Sequence, residues 1–202
     1  MTKIKICGLK RKADIVYVNQ LKPDYVGFVF AKSSRQVEPF WVKELIEDLD
    51  SAIKRVGVFV NMDRERVLKI GEDCKLDVLQ FHGEESPDYC SAFQQEVWKA
   101  FRVKDSSSLE EMKAYAVEGY LLDSYREGQR GGSGEVFSWE LVQDMKKSNL
   151  FIAAGGLHGG NVREAIEIMK PHVVDVSSGV EENGIKCFEK MKDFIEKVRE
   201  IS

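Results

Sequence analysis

Short apolar runs recur along the chain, and each is followed by a segment whose apolar positions fall three or four residues apart. Continuous apolar runs of this length are typical of strands in a parallel sheet, whereas the wider spacing indicates amphipathic helices. The predicted strands cover residues 4–7, 25–30, 55–60, 77–82, 97–103, 120–123, 150–154 and 172–177. The predicted helices cover residues 10–20, 39–52, 64–73, 86–94, 107–117, 139–147, 160–169 and 186–199.

Eight strand–helix units follow one another without a linker, which predicts a single domain over residues 1–202. Alternating strands and helices favour a parallel sheet, and a last strand that is free to pair with the first favours closure. We therefore predict an α/β fold of the single-domain (β/α)8 TIM-barrel type. An open doubly wound sheet is the competing interpretation. It normally has fewer strands, and no Gly-x-Gly-x-x-Gly follows the first strand here.

Composition narrows the range of functions. The chain is 43% hydrophobic and 32% charged with a net charge of −4, so it is globular and has no general excess of positive charge for binding nucleic acid. No apolar run approaches the roughly 20 residues of a membrane span, and no signal peptide is indicated. The four cysteines are scattered without metal-ligand spacing. We expect reduced thiols, no metal site and a cytoplasmic location.

The active site of such a barrel lies at the carboxyl ends of its strands, so we collected the polar residues there. Cys7 ends the first strand and Asp123 ends the sixth, where a thiolate and a carboxylic acid could serve as base and acid around a sugar-sized substrate. Cys7 needs help to ionise, and Lys5 on the same face is a plausible source of positive potential. The plainer alternatives are an inert buried cysteine and an aspartate that caps a helix or pairs with Lys5.

Four further side chains are candidates for substrate binding. Arg35 lies between polar residues of the second loop and suits a carboxylate or a phosphate, although a solvent-exposed arginine is equally compatible with the sequence. Gln80 and His82 share the inward side of the fourth strand, where His82 could orient its neighbours or transfer protons. Asp175 on the eighth strand could contact a substrate hydroxyl or pair with Lys5.

Small residues follow the seventh and eighth strands, at the loops that usually bind phosphate in these barrels. Their backbone N–H groups, with a helix start behind them, would make an anion site, and the glycine-rich sixth loop could add donors or a lid. Tight turns alone would also explain such glycines. The predicted phosphate-binding residues are Gly132, Gly155, Gly156, Ser177, Ser178 and Gly179.

With these residues in place, the chain resembles the phosphoribosylanthranilate isomerases of tryptophan biosynthesis along essentially its full length. Eight ordered motifs carry the resemblance: KICGL at 5–9, GFVF at 27–30 with SR at 34–35, RVGVFVN at 55–61, LQFHG at 79–83, LLD at 121–123, GGSG at 131–134 with FSW at 137–139, AGGL at 154–157 and DVSSGVE at 175–181.

The resemblance implies an Amadori rearrangement of N-(5-phosphoribosyl)anthranilate to 1-(2-carboxyphenylamino)-1-deoxyribulose 5-phosphate. It implies that Cys7 removes the C2 proton, that Asp123 protonates the ribose ring oxygen and that Arg35 holds the anthranilate carboxylate. No cofactor is expected, because the imine of the substrate serves as the electron sink. The expected partner is this small phosphorylated substrate, with no nucleic acid or membrane, and the protein is expected to be a monomer or a homodimer.

Two other functions remain open at this stage. A related sugar-phosphate isomerase would share the barrel, but the enzymes that also act on a histidine-pathway intermediate have aspartate at the position of Cys7, and epimerases bring metal-binding histidines to the strand ends. A non-catalytic barrel that binds a sugar phosphate could keep the glycines, but it would have no reason to keep both Cys7 and Asp123.

Overall fold

A computed structural model describes residues 1–101, 111–123 and 149–201. Eight parallel strands form a closed barrel in sequence order, and β1 pairs with β8 to close it. The strands are β1 (Lys3–Cys7), β2 (Tyr25–Val29), β3 (Lys54–Phe59), β4 (Val78–Phe81), β5 (Glu96–Phe101), β6 (Gly119–Asp123), β7 (Leu150–Ala154) and β8 (Val173–Val176). The predicted (β/α)8 barrel is confirmed, and the open doubly wound sheet is ruled out by the β1–β8 pairing.

Helices alternate with the strands over most of the described chain. They cover Lys12–Leu21, Pro39–Glu47, Arg64–Asp73, Pro87–Cys90, Val162–Met169 and Phe188–Ile201. In the last of these, Met191, Phe194, Ile195 and Val198 are buried, which is the three- and four-residue spacing that predicted the helix. The predicted helix 139–147, the glycine-rich loop before it and the beginning of the predicted helix 107–117 lie outside the described residues.

Two predicted helices are shorter than expected. The second ends at Glu47, because Asp50 stabilises a turn beyond it: its N–H donates to Asn19 Oδ1 and its carboxylate accepts the N–H of Ala52. The fourth ends at Cys90 instead of residue 94. There the hydroxyl of Ser91 donates back to the carbonyl of Asp88, a local bond that competes with further helix.

Side chains along each strand point alternately into and out of the barrel, and this produces two apolar layers. Outward-facing residues pack under the helices, and inward-facing residues fill the barrel. Tyr25 and Trp98 meet edge-to-face inside it, with ring centroids 5.0 Å apart. The interior apolar cluster consists of Tyr25, Val56, Val78, Trp98, Ala100, Leu121, Ile152, Ala154 and Val173. The barrel is therefore packed below its mouth, which leaves the carboxyl ends of the strands for a site.

A small element after β8 was not predicted. Residues Ser178–Val180 form a single 3₁₀ turn, and Glu181–Glu182 then pairs antiparallel with Ile185–Lys186. We call residues 181–186 the β8 hairpin. It brings the side chains of Glu181 and Lys186 to the mouth of the barrel beside β1. None of the helices in the described ranges is long and apolar enough to cross a membrane.

Candidate active site

Cys7 ends β1 at the barrel mouth and is 8% exposed. Its thiol lies against β2 at Gly27, where an added Cβ would come within 2.7 Å of Cys7 Sγ. Gly8, directly after Cys7, has φ +84° and lies under the stem of Arg35, whose Cδ would be 2.6 Å from a Cβ there. Glycine at these two positions is what lets the thiol and the arginine lie together.

Inside the barrel below Cys7, Lys5 pairs with Asp175. The distance from Lys5 Nζ to Asp175 Oδ2 is 2.8 Å, and Lys5 is completely buried. Burial lowers the pKa of Lys5, but Asp175 and Cys7 outweigh it and leave the pKa raised, so Lys5 is charged. Asp175 Oδ1 is buried and has no hydrogen-bond partner among the described residues. The partner of Lys5 is therefore Asp175, one of the two roles considered for that aspartate.

The pKa of Cys7 is raised, contrary to the expectation that Lys5 would depress it. Burial is the largest cause. Lys5 and Lys186 both act to lower this pKa, while Asp175 raises it. Lys5 thus acts to lower the pKa of Cys7, as predicted, but burial of the thiolate raises that pKa by more.

Arg35 is held at the mouth by Glu181 of the β8 hairpin. Its Nε and one terminal nitrogen each donate to a different carboxylate oxygen at 2.7 Å. The same carboxylate also accepts from Lys186 Nζ at 2.6 Å. Burial alone would raise the pKa of Glu181, but its bonds to Arg35 and Lys186 lower it to about 2. Arg35 is therefore not a free surface arginine, and its fork is already occupied by a carboxylate.

Ser177 connects this cluster to β1. Its hydroxyl donates to the carbonyl of Cys7 at 3.0 Å, and its own carbonyl accepts from Lys186 Nζ at 2.9 Å. Lys186 is nearly buried, and burial is the largest cause of its lowered pKa. Cys7 is thus bounded by Arg35 and the β8 hairpin on the outside and by Lys5 within the barrel.

The loops after β7 and β8 come together as the sequence predicts. Gly155 and Gly156 have positive φ values of 87° and 64°, and a Cβ on Gly179 would collide with the carbonyl oxygen of Leu157. The absence of a side chain at position 179 therefore lets the loops after β7 and β8 come into contact. Ser178 begins the 3₁₀ turn. Phosphate binding by these residues remains a prediction, and Gly132 lies outside the described part of the chain.

Asp123 ends β6, which lies three strands from β1 around the barrel. Its Oδ2 is 3.4 Å from His82 Nε2. The other ring nitrogen of His82, Nδ1, is 3.4 Å from Gln80 Nε2. Gln80 is 1% exposed, and its Oε1 has no hydrogen-bond partner within the described residues. The structure thus joins three of the predicted site residues in one chain of contacts.

Several residues near the mouth were not predicted. Glu181 and Lys186 lie in a hairpin too short to leave a periodic pattern. Lys99 and Glu85 form a buried ion pair at 3.4 Å behind the loop that follows β4. The available signal was Lys99 itself, a lysine at an outward position between the apolar residues Trp98 and Ala100.

Comparison with known proteins now assigns the family. Residues 4–197 match the family model for N-(5'-phosphoribosyl)anthranilate isomerase. The enzyme of that name from Thermoanaerobacter sp. (strain X514) is 54% identical over 202 residues, with all of both chains covered. The one from Clostridium acetobutylicum is 46% identical, with 98% of each chain covered. The chain belongs to this family.

Solved structures agree with that assignment. Phosphoribosylanthranilate isomerase from Thermotoga maritima superposes with a TM-score of 0.87 at 34% identity, covering 99% of this chain and 100% of that one. A second isomerase structure, in complex with reduced 1-(o-carboxyphenylamino)-1-deoxyribulose 5-phosphate, has a TM-score of 0.86 at 32% identity. The resemblance stated from the eight motifs is confirmed.

Proposed function

We propose that this protein catalyses the Amadori rearrangement of N-(5'-phosphoribosyl)anthranilate to 1-(2-carboxyphenylamino)-1-deoxyribulose 5-phosphate in tryptophan biosynthesis. Its family membership over the whole chain supports this assignment, and so does a structural relative that binds the reduced form of the same product. The observation that carries the proposed mechanism is that Cys7 and Asp123 both end strands at one barrel mouth.

The reaction needs one acid and one base. Asp123 donates a proton to the ribose ring oxygen, the bond from that oxygen to C1 breaks, and the nitrogen lone pair forms a C1–N double bond. Cys7 then removes the C2 proton. The electrons of that C–H bond form a C1–C2 double bond, and the electrons of the C1–N double bond move to the nitrogen. Protonation at C1 and loss of the C2 hydroxyl proton give the ketose. No electrons leave the substrate, so no external oxidant is required.

The surroundings of Cys7 support its role as the base. Lys5 and Lys186 both favour the thiolate, and Arg35 lies on the adjacent glycine. Because burial still raises the pKa of Cys7, the thiol predominates in the free protein near neutral pH, and the thiolate is the minor, reactive form. The cations keep this minor form accessible inside a largely apolar barrel.

Arg35 is assigned to the anthranilate carboxylate. Glu181 occupies Nε and one terminal nitrogen, so a second carboxylate would approach from the remaining edge of the guanidinium. Two buried acceptors without partners in the described structure, Asp175 Oδ1 and Gln80 Oε1, support the prediction that these residues bind substrate, since sugar hydroxyls could donate to them. We assign the phosphate to the loops after β7 and β8, where Gly155, Gly156, Ser177, Ser178 and Gly179 cluster.

The direct test is consumption of N-(5'-phosphoribosyl)anthranilate, followed by its fluorescence without added metal. The wild-type protein should turn over, and Cys7→Ser and Asp123→Asn should each reduce kcat by about 10²–10⁴-fold. Cys90→Ser is a matched control, because Cys90 is another buried cysteine but lies in the helix Pro87–Cys90. If both site variants kept wild-type turnover while the control did too, the assigned roles would be wrong.

A further inference from the structure

Gln80, His82 and Asp123 form a continuous chain of polar contacts at the barrel mouth. Gln80 Nε2 lies 3.4 Å from His82 Nδ1, and His82 Nε2 lies 3.4 Å from Asp123 Oδ2. Gln80 is inside the barrel and essentially inaccessible to solvent, while about a quarter of the side-chain surface of His82 and of Asp123 is exposed. The chain therefore runs from the packed interior outward to the proposed acid.

The direction of these contacts follows from the chemistry of the groups. With Nε2 of the Gln80 amide turned toward His82, Nδ1 of His82 is the acceptor in this contact, because an amide nitrogen has hydrogens to donate and no lone pair to offer. In a neutral imidazole the hydrogen then resides on Nε2, the nitrogen that faces Asp123. Gln80 thus favours the tautomer of His82 whose hydrogen lies on the nitrogen that faces Asp123.

Neighbouring parts of the chain fix the backbone that carries His82. The N–H of His82 donates to the carbonyl of Phe59 at 2.8 Å. Both peptide groups of the next residue, Gly83, are also bound: its N–H donates to Glu85 Oε2 at 2.9 Å and its carbonyl accepts from Lys99 Nζ at 2.7 Å. The Glu85–Lys99 pair is buried, so water competes little for these bonds. His82 is accordingly held on a rigid support.

We propose that Gln80 and His82 are positioning residues for the acid step: Gln80 fixes His82 as the Nε2–H tautomer, and His82 orients the carboxyl group of Asp123 through Oδ2. This inference rests on the proposed function, in which Asp123 is the general acid. A neutral donor suits that role, because an imidazolium at the same place would favour the ionised carboxylate and deplete the acid form.

The first experiment reads the tautomer without reference to activity. Nitrogen-15 NMR of the histidine rings in the full-length protein, at a pH where the rings are neutral, should show His82 with a protonated Nε2 and an unprotonated Nδ1. The sequence holds three histidines, so His82→Gln and His158→Gln variants assign the signals. Gln80→Met, which keeps the length of the side chain but removes the donor, should convert the His82 signals to a mixture of tautomers. A wild-type Nδ1–H form, or signals that Gln80→Met leaves unchanged, would overturn the proposal.

The second experiment asks whether the chain matters for the acid step. His82→Gln retains an amide N–H that can reach Asp123, whereas His82→Leu does not. We expect His82→Leu to lose about tenfold or more in kcat with little change in KM, and His82→Gln to recover much of that loss. Equal kcat values for the two variants, with both folded by thermal unfolding, would contradict a positioning role.

The two experiments separate this inference from the function on which it rests. If the wild-type protein did not convert the substrate, the proposed function would fail and the role of the chain in an acid step would fail with it. The NMR result would still decide whether Gln80 sets the tautomer of His82. If turnover is present but the tautomer or the variant pattern is wrong, only the inference is overturned.

Discussion

At the scale of single residues, the charges around Cys7 nearly balance. Three cations and two carboxylates lie around the thiol or are linked to it through hydrogen bonds: Lys5, Arg35, Lys186, Asp175 and Glu181. One positive charge is left over, and a thiolate at Cys7 would neutralise it. Burial opposes that ionisation and prevails in the free protein. Cys7, the proposed base, is thus a thiol in the free protein, although the net charge around it suits a thiolate.

This balance predicts slow alkylation of Cys7. Because burial raises the pKa of its thiol, iodoacetamide should modify Cys7 more slowly than free cysteine near neutral pH, and the rate should rise with pH. Peptide mass spectrometry on a Cys187→Ser background would isolate the reaction, since Cys187 is the most exposed of the four cysteines. Alkylation faster than that of free cysteine would show that the cations outweigh burial after all.

Glu181 makes folding sensitive to acid. Its pKa falls from the ordinary 4.5 to about 2 in the folded protein. A depressed carboxyl pKa contributes stability that is fully present above the unfolded value and is lost as pH falls through the folded value. Urea unfolding should therefore show a stability difference between wild type and Glu181→Gln that is constant above about pH 5 and shrinks toward about pH 2. A difference that does not depend on pH would contradict the lowered pKa.

Removing one partner of the buried ion pair between Lys5 and Asp175 should destabilise the fold. Lys5→Met leaves the carboxylate of Asp175 buried without its cation, and we expect a loss of about 3–5 kcal/mol in the free energy of unfolding. Adding Asp175→Leu should recover part of that loss. Lys192→Met, in an exposed helix pair, is the control and should change stability by less than about 1 kcal/mol. Additive losses in the double variant would mean that the pair is not coupled.

At the scale of elements, the apolar runs located each of the eight barrel strands to within one or two residues wherever the chain is described, because strands buried on both faces carry a strong local signal. Helix ends were less predictable, since the turn at Asp50 depends on Asn19 from another helix. The β8 hairpin was missed because two-residue strands have no period. It nevertheless supplies Glu181, which holds Arg35, and Lys186, which favours the Cys7 thiolate.

The close contact between Gly27 on β2 and Cys7 on β1 allows the position of the thiol to be tested. Gly27→Ala would place a methyl group 2.7 Å from Cys7 Sγ and 3.1 Å from its Cα, which must displace the thiol or the strand. We expect kcat to fall by about tenfold or more, because small displacements of a catalytic group are expensive. Gly71→Ala is the matched control: its nearest neighbour is the flexible side chain of Gln95, and alanine favours a helix. Similar kcat values for the two variants would show that the position of the thiol is unimportant.

At the scale of the whole molecule, closure of the barrel creates the site. Lys5 and Asp175 are 170 residues apart in sequence, and Arg35 and Glu181 are 146 apart. They meet because β1 pairs with β8. The sequence could predict which residues lie at strand ends, since the parity of each strand is local. It could not predict which charged side chains form ion pairs with one another, because that depends on packing between distant loops and on side-chain geometry.

In the proposed mechanism Cys7 takes the C2 proton. A single-turnover experiment with substrate deuterated at C2 tests this role, with product formation and the release of deuterium to solvent both followed. Wild type and Cys90→Ser should show a primary isotope effect on the proton-transfer step and release the label, whereas Cys7→Ser should lose both reactions together by about 10²-fold or more. Release of the C2 deuterium at the wild-type rate by a folded Cys7→Ser variant would contradict the claim.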